Sequence, residues 1–114
     1  MPPRSLLPAD SDLALMTDLY ELTMAAGYLT HGMHERRAVF ELFVRALPND
    51  RSYLLVAGLE QLIHHVRSMR FTDESIDLLR RLPVFGCVPH AFFDYLRAFR
   101  FRGDIRAVPE GAVV

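Results

Sequence analysis

Histidines are the side chains of this 114-residue sequence with the widest chemical range. His31 and His34 stand three residues apart, which on one helix would place two metal ligands on adjacent turns. Gly32 between them is typical of a helix end, and no third ligand is near, so we expect a solvated loop. His64 and His65 are neighbours and point about 100° apart on a helix, so they cannot share one ion. The pattern indicates no metal site.

Cys87 is the single cysteine, so an internal disulfide is excluded. It carries no local signature of a nucleophile, and a structural thiol in a reducing, cytoplasmic setting is the expectation. The sequence also lacks the glycine-rich phosphate loops and the strained serine turn of known enzyme classes. From its motifs we therefore expect no catalytic residue in this chain.

Asp18 and Tyr20, in the stretch MTDLYELTM of residues 16–24, have two interpretations each. Asp18 and Glu21 stand three residues apart and resemble a capping box, although Thr17 could take the N-cap position instead. The ring of Tyr20 can pack in the core, which patterning favours, or extend beyond the helix end and stack on a flat heterocycle. The residues alone leave both interpretations open.

Arg45 is a candidate anion ligand because it shares one face of a predicted strand with Glu41, about 13 Å away. That face is either half solvated, with charged cross-strand partners, or it lines a cleft in which Arg45 meets an anion. The segment RFRGDIR is also basic, but arginines alternating with apolar residues suit a solvated strand edge. A net charge of -1 gives no electrostatic reason to expect nucleic acid or an anionic membrane as partner.

The elements that would position these residues follow from periodicity. Helical patterns cover residues 18–32, 59–66, 72–83 and 89–99, and alternating patterns predict strands at 38–45 and 104–108, with another strand beginning at 112–114. Residues 53–58 suit either a buried strand or the entry to the second helix. Thr72 is the expected N-cap of the third helix, and Pro83 its end.

The domain prediction is an N-terminal arm at residues 1–14 and an α/β (α+β) domain at 15–114, with helices packed on a small mixed sheet. No apolar run reaches the 18 or more residues of a membrane span. Because the sequence stops in an apolar run just after a turn, we expect an incomplete domain with uncovered apolar faces.

Five blocks in order carry a resemblance to a known family. They are L-x-T-D-L-Y-E-L-T-M at 15–24, V-F-E-L-F-V-R-x-L-P at 39–48, Y-L-x-x-A-G-L-E-Q at 53–61, F-x-Y-L-R-x-F-R-F-x-G-D-I at 93–105 and V-P-E-G at 108–111. Together they resemble the N-terminal region of nicotinate phosphoribosyltransferases. The resemblance implies a type II phosphoribosyltransferase fold whose barrel domain is missing here.

The resemblance also implies a reaction and a role for two residues. The family makes nicotinate mononucleotide from nicotinate and phosphoribosyl pyrophosphate, with ATP hydrolysis and magnesium, in NAD salvage, and it works as a homodimer. Carried over, Tyr20 stacks on nicotinate across the dimer interface and Asp18 is its polar neighbour. The family's phosphorylated histidine and its phosphoribosyl-binding residues lie downstream, so the isolated chain is expected to be inactive.

Two other functions compete with this one. The chain could be a non-catalytic partner that donates its T-D-L-Y segment to a separately encoded catalytic chain. It could also be a simple binding module for pyridine carboxylates. Activity of the isolated chain, co-purification with a second chain, and calorimetry with nicotinate distinguish the three.

Overall fold

The computed structural model describes residues 9–114, and four α-helices lie within that range. They are α1 (Leu19–Thr30), α2 (Leu59–Ser68), α3 (Asp73–Arg81) and α4 (His90–Ala98), with single 3-10 turns at Leu13–Leu15 and Pro83–Phe85. All four predicted helices are thereby confirmed. Of the predicted N-terminal arm, residues 1–8 lie outside the described residues, while Ala14 is buried in the first 3-10 turn.

Helix α1 ends as its glycine predicts. Gly32 has a φ of 65°, in the left-handed region that glycine tolerates best. The N–H of Gly32 donates to the carbonyl of Leu29 at 3.1 Å, and the N–H of Met33 donates to that of Tyr28 at 2.7 Å. These two bonds form a Schellman motif, which satisfies carbonyls that the helix end would leave unpaired.

The core lies between α1, α3, α4 and the second 3-10 turn. It contains Leu22, Ala26, Ile76, Leu79, Phe85, Phe92, Phe93 and Leu96. Phe85 stacks nearly parallel on Phe92, with ring centroids 6.2 Å apart, and Phe93 meets both rings edge-on. Such aromatic pairs add to the stabilisation from apolar burial. This cluster is what holds α1, and hence its first turn, in place.

Polar contacts join α3 to α4 at the rim of this core. Thr72 is the N-cap of α3, as predicted, and its Oγ1 accepts the N–H of Ser75 at 3.2 Å. Arg97 of α4 bonds to Asp73 in the first turn of α3 at 2.8 Å and to Asp94 at 3.0 Å. The pair with Asp73 joins the two helices, whereas the pair with Asp94 lies within α4. Both pairs are exposed to solvent, so each contributes little to stability.

The prediction of helices packed on a small mixed sheet is wrong for residues 9–114. Residues 38–45 and 104–108 form no ladder there, and the single pairing is an isolated antiparallel bridge between Leu55 and Val113. Alternating apolar residues predict an extended chain, but a sheet also needs a second segment that satisfies the backbone N–H and C=O groups. The described residues supply such a segment only at this bridge.

Around the bridge, four hydrogen bonds join residues 54–56 to residues 111–114. The N–H of Leu54 donates to Val114 at 2.8 Å, and the N–H of Val114 donates back to Leu54 at 3.0 Å. Val56 exchanges a similar pair of bonds with Ala112 and Gly111. Residues 53–58 are therefore an extended segment that leads into α2. This arrangement has features of both interpretations of the sequence, a strand and the entry to the second helix.

Much apolar surface is left uncovered by this arrangement, as the sequence predicts. Helix α2 has no buried residue, although Leu59, Leu62, Ile63 and Val66 share a face. The radius of gyration is 17.3 Å, whereas a compact domain of this length would have one of about 13 Å. Within residues 9–114, no helix is long and apolar enough to cross a membrane.

Candidate functional site

Tyr20 lies in the first turn of α1, and its side chain is 59% exposed. Patterning alone favours a core position for this ring, and that interpretation is wrong for the described residues. Residues four apart share a helix face, so Tyr20, Met24 and Tyr28 form one stripe, and all three are exposed. Leu22 and Ala26 lie on the buried side. The ring is therefore free for contact with something outside residues 9–114.

Asp18 is the N-cap residue of α1 by its backbone but not by its side chain. Its φ of -72° and ψ of 141° are extended, and its carbonyl accepts the N–H of Glu21 at 3.0 Å. Its carboxylate accepts no hydrogen bond from the helix, so the predicted capping box does not form. The carboxylate oxygens of Asp18 therefore have acceptor capacity for a hydrogen bond from a ligand.

A shallow depression of about 500 Å³ lies in front of this helix end. It is lined by Leu15, Met16, Thr17, Asp18 and Glu21. Two carboxylates and no cation line it, so by itself it would repel an anionic ligand. Tyr20 and Arg45 are not among the lining residues. The structure therefore brings Asp18 together with Glu21 but does not bring Arg45 to them.

Arg45 stays a predicted ligand. It lies at a bend that follows a straight, exposed stretch, and it makes no ion pair with any described residue. Its guanidinium is therefore available to an anion or a carboxylate from outside residues 9–114.

The histidines have ordinary structural contacts. The Nδ1 of His31 lies 2.8 Å from the carbonyl of Gly27 at the end of α1, and the ring of His34 packs edge-on against Tyr95 at 5.6 Å. The Nε2 of His64 lies 3.1 Å from both carboxylate oxygens of Asp10. Among residues 9–114, no group of three or more potential metal ligands comes together.

Glu110 makes a structural contact that the sequence interpretation missed. Its two carboxylate oxygens accept the N–H groups of Gly58 and Leu59 at 3.0 and 2.9 Å. These bonds to the first amides of α2 hold the pKa of Glu110 below its usual value. One signal was available: Gly58 precedes α2 and has no side chain with which to cap it, which leaves the first amides of α2 open to an acceptor from elsewhere in the chain.

Comparison with known proteins adds the observation that decides the family. The profile of the nicotinate phosphoribosyltransferase (NAPRTase) N-terminal domain matches residues 15–114. The chain belongs to the nicotinate phosphoribosyltransferase family. The match begins at Leu15, which lines the depression, and it includes Asp18, Tyr20, Arg45 and Glu110.

Named members of the nicotinate phosphoribosyltransferase family are similar over most of this chain. Nicotinate phosphoribosyltransferase pncB2 of Mycobacterium tuberculosis is 43% identical over 101 residues, which cover 89% of this chain and 21% of that protein. Nicotinate phosphoribosyltransferase 2 of Arabidopsis thaliana is 38% identical over 104 residues, covering 88% and 18%. Nicotinate phosphoribosyltransferase of Bacillus subtilis is 44% identical over 71 residues, covering 62% and 14%.

The chain thus spans between 14% and 21% of the length of these nicotinate phosphoribosyltransferases. No solved structure matches it at a significant level. The family and the N-terminal position of the match are established by the profile, and the geometry of the site comes from residues 9–114 alone.

Proposed function

We propose that residues 15–114 act as the N-terminal domain of a nicotinate phosphoribosyltransferase. The complete enzyme would make nicotinate mononucleotide and pyrophosphate from nicotinate and phosphoribosyl pyrophosphate, in NAD salvage. The observation that carries the proposal is the family match over residues 15–114. The relatives are all named nicotinate phosphoribosyltransferases, which supports the same reaction.

Within that enzyme, Tyr20 stacks on the pyridine ring of nicotinate and Asp18 is its polar neighbour. The exposure of Tyr20 and the unbonded carboxylate of Asp18 support these roles, because both groups are free to contact a ligand. Nicotinate also carries a carboxylate, and the depression beside Asp18 contains only acidic charge. The cation that the substrate needs must come from another segment, and Arg45 is the proposed source within this chain.

The exposed stripe of Tyr20, Met24 and Tyr28 is the proposed contact with the second subunit of a homodimer. A helix with one buried face and one exposed apolar face suits an interface, since apolar residues there lose contact with water on association. The site would then combine this helix end with residues of the partner subunit. The single cysteine favours a reducing, cytoplasmic location.

ATP and magnesium belong to the proposed reaction of the complete enzyme. Residues 9–114 bring no three potential metal ligands together, so they do not form a magnesium site by themselves. The chain's contribution to chemistry is then to orient the nicotinate ring. Because the family's phosphoribosyl-binding residues and phosphorylated histidine are expected downstream, the 114-residue chain assayed alone with nicotinate, phosphoribosyl pyrophosphate, ATP and magnesium is expected to show no turnover.

A chimera tests the proposal on the residues of this chain. Residues 15–114 replace the corresponding N-terminal region of Mycobacterium tuberculosis pncB2, and the chimera is assayed as the parent enzyme is. Tyr20→Ala in the chimera should raise the KM for nicotinate by roughly 2- to 12-fold, the equivalent of ~0.5–1.5 kcal/mol of ring stacking. Tyr20→Phe should retain most of the affinity, because it keeps the aromatic face.

The matched control is Tyr28→Ala, which removes the same side chain two turns further along the same exposed stripe. Because the proposed site includes the partner subunit, the KM values are compared at enzyme concentrations at which both variants are dimeric, and Tyr28→Ala should then leave the KM for nicotinate much less changed. An inactive chimera beside an active parent would contradict the proposed function. Equal KM values for Tyr20→Ala and the unchanged chimera would contradict the role of Tyr20.

A further inference from the structure

The imidazole of His64 joins helix α2 to the segment that precedes α1. Its Nε2 lies 3.1 Å from both carboxylate oxygens of Asp10, which is 54 residues earlier in the chain. An ionised carboxylate only accepts hydrogen bonds, so Nε2 carries the proton and shares it between the two oxygens. Within residues 9–114, no other hydrogen bond or ion pair connects α2 to residues 9–18.

Backbone hydrogen bonds connect this contact to the depression in front of α1. In residues 9–16, here called the entry segment, the N–H of Asp12 donates to the carbonyl of Ala9 at 2.9 Å. The N–H of Leu15 then donates to the carbonyl of Asp12 at 3.1 Å. Leu15 and Met16, at the end of the entry segment, line the depression. The start of the segment is therefore linked to two residues of the candidate site.

The two ends of the entry segment are held in different ways. Ala14 is buried and Leu15 packs against the core, whereas residues 9–12 are all exposed. An exposed turn with few buried contacts has low local stability, so a single long-range contact changes how often it is ordered. Among the described residues, His64 is the side chain outside the segment that bonds to this exposed end.

Helix α2 can serve as the fixed side of this contact. None of its residues is buried, but Glu110 accepts two N–H groups at its start, and the bridge between Leu55 and Val113 lies just before it. These bonds connect α2 to residues 109–114. His64, in the second turn of α2, extends the connection to the entry segment.

We propose that His64 is a positioning residue for the site at the start of α1. Through Asp10 it holds the entry segment in the conformation in which Leu15 and Met16 line the depression. His64 does not line the depression itself, so its action passes through Asp10. The part of this inference that concerns nicotinate rests on the proposed function, whereas the contact between His64 and Asp10 does not.

Hydrogen exchange of the 114-residue chain, followed by NMR, tests the contact without any substrate. His64→Ala should accelerate exchange at the amides of Asp12 and Leu15 by about 2- to 5-fold, the range that an exposed ion pair allows. Asp10→Ala should have the same effect, and the double variant should not exceed either single one, because both changes remove the same bond. His64→Gln should restore the slower exchange, since its amide is again a donor.

His65→Ala is the matched control for this measurement. It removes the same side chain at the next position of α2, and within residues 9–114 the ring of His65 makes no hydrogen bond. It should leave exchange in the entry segment unchanged. Equal exchange in His64→Ala and the unchanged chain would overturn the proposal, and so would the same acceleration in His65→Ala.

A chimera tests whether the contact matters for the substrate. Residues 1–114 replace the corresponding region of Mycobacterium tuberculosis pncB2, so that Asp10 is included. Apparent affinity falls with the populated fraction of the binding-competent conformation, so His64→Ala should raise the KM for nicotinate by roughly 1.5- to 5-fold. The KM for phosphoribosyl pyrophosphate should not change, because the residues that bind it are expected downstream. His64→Gln should return the KM for nicotinate to that of the unchanged chimera.

The outcomes separate this inference from the proposed function. An active chimera in which His64→Ala leaves the KM for nicotinate unchanged would overturn the positioning role. Equal rises in the KM values for both substrates would also overturn it, because they would indicate a general loss of structure. An inactive chimera would contradict the proposed function, whereas hydrogen exchange would still decide the contact between His64 and Asp10.

Discussion

The carboxylate of Glu110 caps helix α2 through the backbone N–H of Gly58, which lies 52 residues earlier in the chain, at 3.0 Å. The second oxygen of the same carboxylate accepts the N–H of Leu59 at 2.9 Å. A charged acceptor with two bonds at a helix N-terminus satisfies unpaired donors and complements the helix dipole. This contact also places the turn at residues 109–111 beside the bridge between Leu55 and Val113.

Replacing Glu110 with Gln should loosen the start of α2. The amide keeps one acceptor oxygen and loses both the charge and the second acceptor. Hydrogen exchange at the amides of Gly58 and Leu59 should therefore become faster than in the unchanged chain. Glu60→Gln is the control, because Glu60 lies in the first turn of the same helix and bonds to neither amide. Equal exchange in all three proteins would contradict a capping role.

The same contact predicts a dependence of stability on pH. The backbone bonds to Gly58 and Leu59 lower the pKa of Glu110 from its ordinary value of 4.5. A carboxylate with a lowered folded-state pKa stabilises the fold fully above its unfolded pKa, and that contribution is lost as the pH falls through the folded value. The Glu110→Gln variant should lack this part of the acid destabilisation. The measurement is the free energy of unfolding of both proteins between pH 6 and pH 3, and parallel pH curves would contradict the prediction.

Replacing either of two glycines with alanine should change the free energy of unfolding, in opposite directions for the two positions. Gly58 has a φ of 106°, where a side chain strains the backbone, so Gly58→Ala should lower the free energy of unfolding by about 1–2 kcal/mol. Gly27 lies inside α1 with no atom within 4 Å of an added Cβ, so Gly27→Ala should raise it by roughly 0.5–1 kcal/mol. Denaturant titrations measure both, and a shift of equal sign for the two variants would count against this assignment of backbone conformation.

Thr72→Ala should destabilise α3. The hydroxyl of Thr72 accepts the N–H of Ser75, and losing an N-cap of this kind costs ~0.5–2 kcal/mol. Thr17→Ala is the control, because Thr17 precedes α1, is exposed and makes no hydrogen bond to a described residue. It should change the free energy of unfolding by less than about 0.5 kcal/mol. A larger loss for Thr17 than for Thr72 would reinstate Thr17 as the cap of α1.

Alanine substitutions at two phenylalanines should distinguish a core position from an exposed position. Phe92 is 1% exposed and packs against Phe85 and Phe93, so Phe92→Ala should cost about 3–5 kcal/mol. Phe40 is 90% exposed, and Phe40→Ala should change the free energy of unfolding of the monomer by less than roughly 0.5 kcal/mol. Denaturant titrations measure both variants, and similar losses for the two would contradict this assignment of core and surface.

Local sequence signals predicted the helices well because most of the helix ends depend on nearby residues, the exception being the start of α2, which the distant Glu110 caps. Thr72 caps the third helix, Pro83 follows its end, and Gly32 follows the end of the first. The periodicity also placed Ile76, Phe92 and Leu96 on faces that are buried. Each of these features is decided by residues within about four positions of one another, so the printed sequence contains the necessary information.

The strands were predicted less well because pairing is not local. Residues 38–45 alternate as a strand should, yet they pair with nothing in residues 9–114, whereas residues 54–56 found a partner almost 60 positions away. A strand exists only where a second segment satisfies its backbone, and periodicity does not say whether that segment is present. The mixed sheet was inferred from pattern and resemblance, and the pattern supports only extended backbone.

For the candidate site, too, some features follow from the sequence and others depend on the tertiary structure. Sequence alone pointed to Asp18, Tyr20 and Arg45 as residues with chemical potential and, through five ordered blocks, to a family that the profile over residues 15–114 then established. Only the tertiary structure decided that Tyr20 faces outward and that the carboxylate of Asp18 does not cap α1. It also decided that Glu110 caps α2, a different helix. Residue type and spacing determine what a side chain can do, while its exposure and partners depend on how distant segments pack.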